Sequence, residues 1–215
     1  MEFSMMLKQL TIGFGDTVLI FSLTLLFSLP IGLLIYFGRS CRCKPISWLV
    51  QVYISIMRGT PLMLQLLLWY FGPYYLFKMN IGNYKFTAII LGFSLNYAAY
   101  FAEIYRSGIE SIPKGQYEAA QILGYNRTQT FMKIILPQMI KIVLPSITNE
   151  VITLVKDTSL VYSVSYVEMF AYAKQIAAAQ TTIMPFIIAG VFYYIFNFMV
   201  AFIMERIEKK MNYYR

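Results

Sequence analysis

The sequence predicts an all-α membrane protein with five transmembrane helices, its N-terminus outside and its C-terminus in the cytoplasm. Three observations predict it. Of 215 residues, 59% are hydrophobic and only 13% charged, with a mean hydropathy of +0.60, whereas a soluble domain carries about a quarter charged residues. Several uncharged runs approach the ~20 residues that an α-helix needs to cross a hydrocarbon core. The basic residues gather in three of the intervening segments, which the positive-inside rule assigns to the cytoplasm.

The first span is read over residues 16–38, around the run Val18 to Phe37 between Asp16 and Arg39. Its length, and a preceding flank without a basic cluster or small-residue cleavage site, separate it from a cleaved signal peptide. The second covers 47–77, and Thr60-Pro61 inside it predicts a kink or an irregular helix start, because proline removes a backbone donor. The third covers 84–104, between Lys85 and Glu103. A segment of about thirty residues, 105–136, then precedes a fourth span over 137–160. The fifth covers 181–205, where Gly190 and the aromatics Phe192, Tyr193, Tyr194, Phe196 and Phe198 suit lipid contact or packing.

The fourth stretch is interrupted by Lys141, Glu150, Lys156 and Asp157, so it either crosses the membrane or lies on its surface. Charge decides. Arg39, Arg42, Lys44 and Arg58 cluster near the first span's end; Arg106, Lys114, Arg127, Lys133 and Lys141 follow the third; Arg206, Lys209, Lys210 and Arg215 close the chain. These are 13 of the 18 basic residues. If all three regions are cytoplasmic, the number of crossings is odd, and five satisfies this where four does not. No linker, repeat or low-complexity tract divides residues 1–215, which are read as one transmembrane domain.

Composition also excludes chemistry. The chain has no histidine, which removes His-based acid–base catalysis, His triads and His metal ligands. Cys41 and Cys43 are too few to close a zinc site. No G-x4-G-K-[ST] phosphate loop is present, so the chain has no cofactor of its own and any ATP with its magnesium would be bound elsewhere. The net charge of +8 sits in loops between apolar runs, a distribution that points to a lipid surface and not to nucleic acid.

The loop 105–136 carries the most specific signal. A short helix is predicted from near Gln116, stopping at Gly124, a good C-terminal helix breaker, and a second helix from Thr128 leads back to the membrane. Ala119, Ala120 and Gly124 are small enough for close approach by a partner, with Glu118 able to set register. Glu118-Ala119-Ala120, Gly124, Ile134, Leu136 and Pro137 follow the spacing E-A-A-x3-G-x9-I-x-L-P. This resembles the "EAA" signature of ATP-binding-cassette importer permeases. Arg58-Gly59-Thr60-Pro61-Leu62, Asn96-Tyr97-Ala98-Ala99-Tyr100 with Glu103 and Arg106, and Lys156-Asp157-Thr158-Ser159-Leu160 are similar to the polar amino acid subfamily.

The resemblance implies a type I importer permease fold with a cytoplasmic coupling helix between spans three and four, which docks on a separate ATPase subunit. It further implies a second permease copy or homologue and an extracytoplasmic amino-acid-binding protein as partners. The chain itself would be a non-catalytic subunit in the bacterial cytoplasmic (inner) membrane. Its cargo would be a polar amino acid, with arginine, histidine, glutamine and cystine favoured by an acidic residue in the fourth span. The competing reading is an ATP-independent channel or secondary transporter, in which the long loop has no purpose. An intramembrane enzyme built on Glu150 and Asp157 lacks any nucleophile–base pair.

At roughly 100° per residue, Ser146, Asn149, Glu150, Thr153, Lys156 and Asp157 share an arc of about 120° on one helix. A polar stripe is costly against lipid and is expected to face a cavity or a partner span. An amino acid needs both a cation and an anion in exchange for its hydration, which Lys156 and Glu150 would supply. The resemblance adds Asn96 to this pathway. Alternatively Lys156 and Asp157 neutralise each other or a dimer partner. Arg58 either guards the inner mouth or is a plain positive-inside anchor.

Overall fold

The computed structural model describes residues 3–211; Arg215, counted in the third basic cluster, lies outside them. Among the described residues nine α-helices follow in order: α1 Phe3–Arg39, α2 Lys44–Gly59, α3 Leu62–Phe77, α4 Lys85–Glu110, α5 Lys114–Ile122, α6 Arg127–Thr130, α7 Leu136–Asp157, α8 Met169–Gln180 and α9 Met184–Met211. A π-helical turn, Phe131–Ile135, joins α6 to α7, and a 3₁₀ turn, Thr158–Val164, extends α7. Among the described residues four helical stretches are long and apolar enough to cross a membrane: Phe3–Arg39, Lys85–Glu110, Arg127–Val164 and Met184–Met211. The polar stretch predicted to span is one of them.

The predicted span 47–77 is not one continuous helix. It divides at Thr60-Pro61 into α2 and α3, bent by 112°, a far sharper break than a kink. Pro61 cannot donate to α2, and Thr60 adopts an extended conformation, so the last carbonyls of α2 lose their helical donors. In lipid such groups must be satisfied within the protein. Gln65 and Asn96 do this. Gln65 Nε2 donates to Met57 O and to Thr60 O and Oγ1, at 3.0, 3.2 and 2.8 Å. Asn96 Nδ2 donates to Met57 O at 2.9 Å and to Gln65 Oε1 at 3.0 Å.

The core centres on α4, where Phe93, Tyr97, Ala98, Ala99, Phe101 and Ala102 are buried. Alanines on this helix let α1 and α2 approach it, and α1 packs along it more extensively than any other element. Across α4, Gly108 admits α7 so closely that an added Cβ would meet Val143 Cγ1 at 2.2 Å. Tyr97 meets Asp157 while Gly108 meets Val143, so the two helices run antiparallel. Outward-facing Ile187, Ile195 and Phe202 on α9 are exposed, as suits a helix against lipid. Of the aromatics noted in the sequence, Phe192 and Phe196 pack edge-on to Phe14, whereas Tyr194 and Phe198 are exposed.

Candidate functional site

Two cavities lie between α4, α7 and the α2–α3 break. The first, about 320 Å³, is walled by Arg58, Tyr100, Glu103, Ser107, Ser146 and Glu150 among others. The second, about 290 Å³, is walled by Thr60, Leu62, Asn96, Tyr97, Tyr100, Glu150, Thr153 and Asp157. Tyr100 and Glu150 belong to both, so the two form one polar lane. On α7 the lining residues 146, 150, 153 and 157 recur at steps of four, three and four, which keeps them on one helical face. On α4 the residues 96, 100, 103 and 107 do the same.

The predicted pathway residues divide on this geometry. Arg58, Asn96, Glu150, Thr153 and Asp157 are brought together. Asn149 and Lys156 line neither cavity and are exposed on the neighbouring flank of α7. The basic group in the lane is therefore Arg58, which lies over the Tyr100 ring at 5.4 Å. Asn96 is only 3% exposed, and its amide hydrogens serve the α2–α3 break. It stiffens the cavity wall more than it faces the space.

Three participants lie outside the set of residues predicted for the pathway. Tyr97 donates its hydroxyl to Asp157 at 2.8 Å, Tyr100 supports Arg58, and Gln65 braces the broken helix. The spacing Asn96, Tyr100, Glu103 was a readable signal for a lining face; nothing local announced Gln65. Glu103 is already committed. It pairs with Arg39 from α1 and with Arg106, whose Nη2 is 2.5 Å away, and Arg106 also reaches Glu110.

The predicted docking segment is a discrete surface feature. Helix α5 begins after Pro113, and Gly124 takes φ +77°, a left-handed conformation that favours glycine. Glu118, Ala119 and Gly124 are exposed, whereas Ala120 is fully buried, so one alanine of the pair packs inward. Ile122 and Leu123 stand 86% and 72% exposed beside them. The following helix is started by Asn126 and Gln129, which cap each other's backbone N–H at 2.9 and 3.0 Å.

A bundle of apolar helices around a polar lane, with an exposed amphipathic helix at one end, defines a membrane transport permease. The sequence matches the family described as "Binding-protein-dependent transport system inner membrane component" over residues 28–213, and the chain belongs to that family. It is a transport component and not an enzyme; permeases of this kind work with separate ATPase subunits and a partner permease. Among relatives, it is 34% identical to the L-cystine transport system permease protein TcyB of Bacillus subtilis (strain 168), over 94% of this chain and 86% of that one. It is 35% identical to the arginine transport system permease protein ArtQ of the same organism, over 99% and 98%. A solved structure, an amino acid ABC transporter with histidines, superposes with a TM-score of 0.86 at 31% identity, covering 98% of this chain and 99% of that chain.

Proposed function

We propose that this chain is the membrane-spanning permease of an ATP-driven importer of polar amino acids in a bacterial cytoplasmic membrane. The observation that carries the reading is the exposed helix α5 with the full E-A-A-x3-G-x9-I-x-L-P spacing around it. Cargo of this class agrees with the cystine and arginine systems named for its relatives.

On this reading the chain makes five crossings with its N-terminus outside, counting the bent α2–α3 pair as one, and forms one domain. Helix α5 docks on the ATPase through Glu118, Ala119, Gly124 and the neighbouring Ile122 and Leu123. An extracytoplasmic binding protein delivers the amino acid, which passes along the lane between Arg58, Glu150, Thr153 and Asp157. Polar groups at membrane depth are costly when unpartnered. Asn149 and Lys156, exposed beside the lane, are accordingly covered by the second permease.

Two measurements test this. Uptake competition in cells carrying the whole complex, with a panel of amino acids, is expected to show ATP-dependent inhibition by polar amino acids. Labelling a cysteine at position 118 is expected to succeed only from the cytoplasmic side; labelling from outside would overturn the assignment.

A further inference from the structure

Helix α2 presents three different faces. Val50, Tyr53 and Met57 pack toward Ala99 and Ala102 of α4. At about 100° per residue, Trp48, Gln51, Val52, Ser55 and Arg58 share an arc of roughly 120° on another side. Leu49 and Ile56 fall on the flank next to Trp48 and Val52, and both are exposed. The polar arc walls a third cavity, about 420 Å³, together with Arg39 from the end of α1 and Glu103 from α4. That volume is within the ~300–1,000 Å³ of small-molecule sites. Arg58 and Glu103 border the lane as well, whereas Arg39, Trp48, Gln51 and Ser55 do not.

The cavity sits at a membrane boundary and is positive. Arg39 ends the first long uncharged run, and Arg42 and Lys44 follow it before α2 begins. Two arginines border the cavity against one carboxylate, and that carboxylate, Glu103, is already shared between Arg39 and Arg106.

We infer that this cavity binds an anionic phospholipid, its phosphodiester held between Arg39 and the polar arc of α2. A guanidinium offers paired donors to phosphate oxygens, and Gln51 and Ser55 supply further donors for the phosphate or a headgroup hydroxyl. Trp48 stands 63% exposed at the rim, and an amphipathic ring of this kind favours the headgroup level of a bilayer. An acyl chain leaving the phosphate lies over Leu49 and Ile56. A soluble phosphate would leave all three apolar surfaces uncovered, whereas basic residues beside a span attract anionic lipid to this depth. Lipid bound here ties the end of α1 to α2, adding to the bond that Ser47 Oγ donates to Arg39 O at 2.6 Å.

The test is native mass spectrometry of the detergent-purified complex of this permease with its ATPase. The probes are phosphatidylglycerol and phosphatidylcholine of matched chains, with glycerol phosphate as the soluble anion. Phosphatidylglycerol is expected to bind about tenfold or more tightly than phosphatidylcholine, the scale of two basic residues at an anionic surface. Gln51 and Ser55 are exposed, so Gln51→Glu and Ser55→Glu place a negative charge in the cavity without disturbing the packed face. Each is expected to weaken phosphatidylglycerol about fivefold to tenfold and to leave phosphatidylcholine unchanged; if one fails to assemble, the other decides. Equal binding of the two lipids, no bound lipid, or an undiminished preference in the variants overturns the inference. Displacement of phosphatidylglycerol by glycerol phosphate at comparable concentration makes the cavity a soluble-anion site and overturns it too.

Discussion

Asn96 on α4 donates its amide nitrogen to the carbonyl oxygen of Met57 on α2 at 2.9 Å. The bond closes a backbone acceptor opened by the Thr60-Pro61 break, and so fixes the end of α2 that carries Arg58. Asn96→Leu removes both donated bonds in a buried setting. It is expected to destabilise the protein by about 1–3 kcal/mol, read as a lowered unfolding midpoint in detergent. An unchanged midpoint with altered transport would instead make Asn96 a cargo contact.

At Gly108, α4 lies so close to α7 that an added Cβ would meet Val143 Cγ1 at 2.2 Å. Gly108→Ala forces its methyl group against Val143, and overpacking of this kind costs about 1–3 kcal/mol. Val143→Ala in the same chain is expected to recover most of that loss. A thermal-unfolding double-mutant cycle checks it, and simple additivity of the two substitutions would refute the contact.

Ile122 and Gly124 lie at the end of α5 on the exposed side. Ile122→Asp and Gly124→Asp are expected to leave the permease folded. Co-purification with the ATPase should fall about tenfold or more, the scale of a lost interface anchor, with uptake falling in step. Undiminished association and transport would sink the docking role of this end.

Glu168 is a fully buried carboxylate outside the apolar spans. It caps α8 through Phe170 N at 2.8 Å and Ala171 N at 3.0 Å, and accepts from Thr17 of α1 at 3.2 Å and Tyr193 of α9 at 3.0 Å. Burial pushes its carboxyl above the ordinary 4.5, against the opposing pull of those hydrogen bonds. A group raised in the folded state stabilises fully below its unfolded value, and that contribution is lost as pH rises through the folded one. The unfolding midpoint is expected to climb as pH falls from about 7 toward the ordinary glutamate range, and Glu168→Gln is expected to flatten that slope. Glu168→Ala removes the cap and should cost about 1–2 kcal/mol.

Much of the architecture was legible because lipid imposes simple rules on sequence. A stretch that must satisfy its own backbone in hydrocarbon reads as a long uncharged run, and α1, α4 and α9 fall where such runs do. The 146–157 stripe was legible because helical period alone puts Glu150, Thr153 and Asp157 on one face. Glycine at 124 marked the end of α5 because few other residues accept its backbone conformation. These are local properties, written in consecutive residues.

What tertiary structure alone decided is which neighbours share a space. Lys156 and Asp157 are adjacent in sequence, yet only Asp157 faces the lane, because successive residues on a helix diverge by about 100° and α4 covers one side of α7. Arg58, not Lys156, supplies the positive charge there, since α2 packs on α4 and brings the Arg58 guanidinium over the Tyr100 ring. Gln65 and Asn96 have no local signature, because the carbonyls they serve belong to the end of α2; Glu168 caps its own α8, but its bonds from Thr17 and Tyr193 come from other helices. Periodicity fixes the direction of a side chain about its own axis; the partner that meets it is set by how separate helices pack.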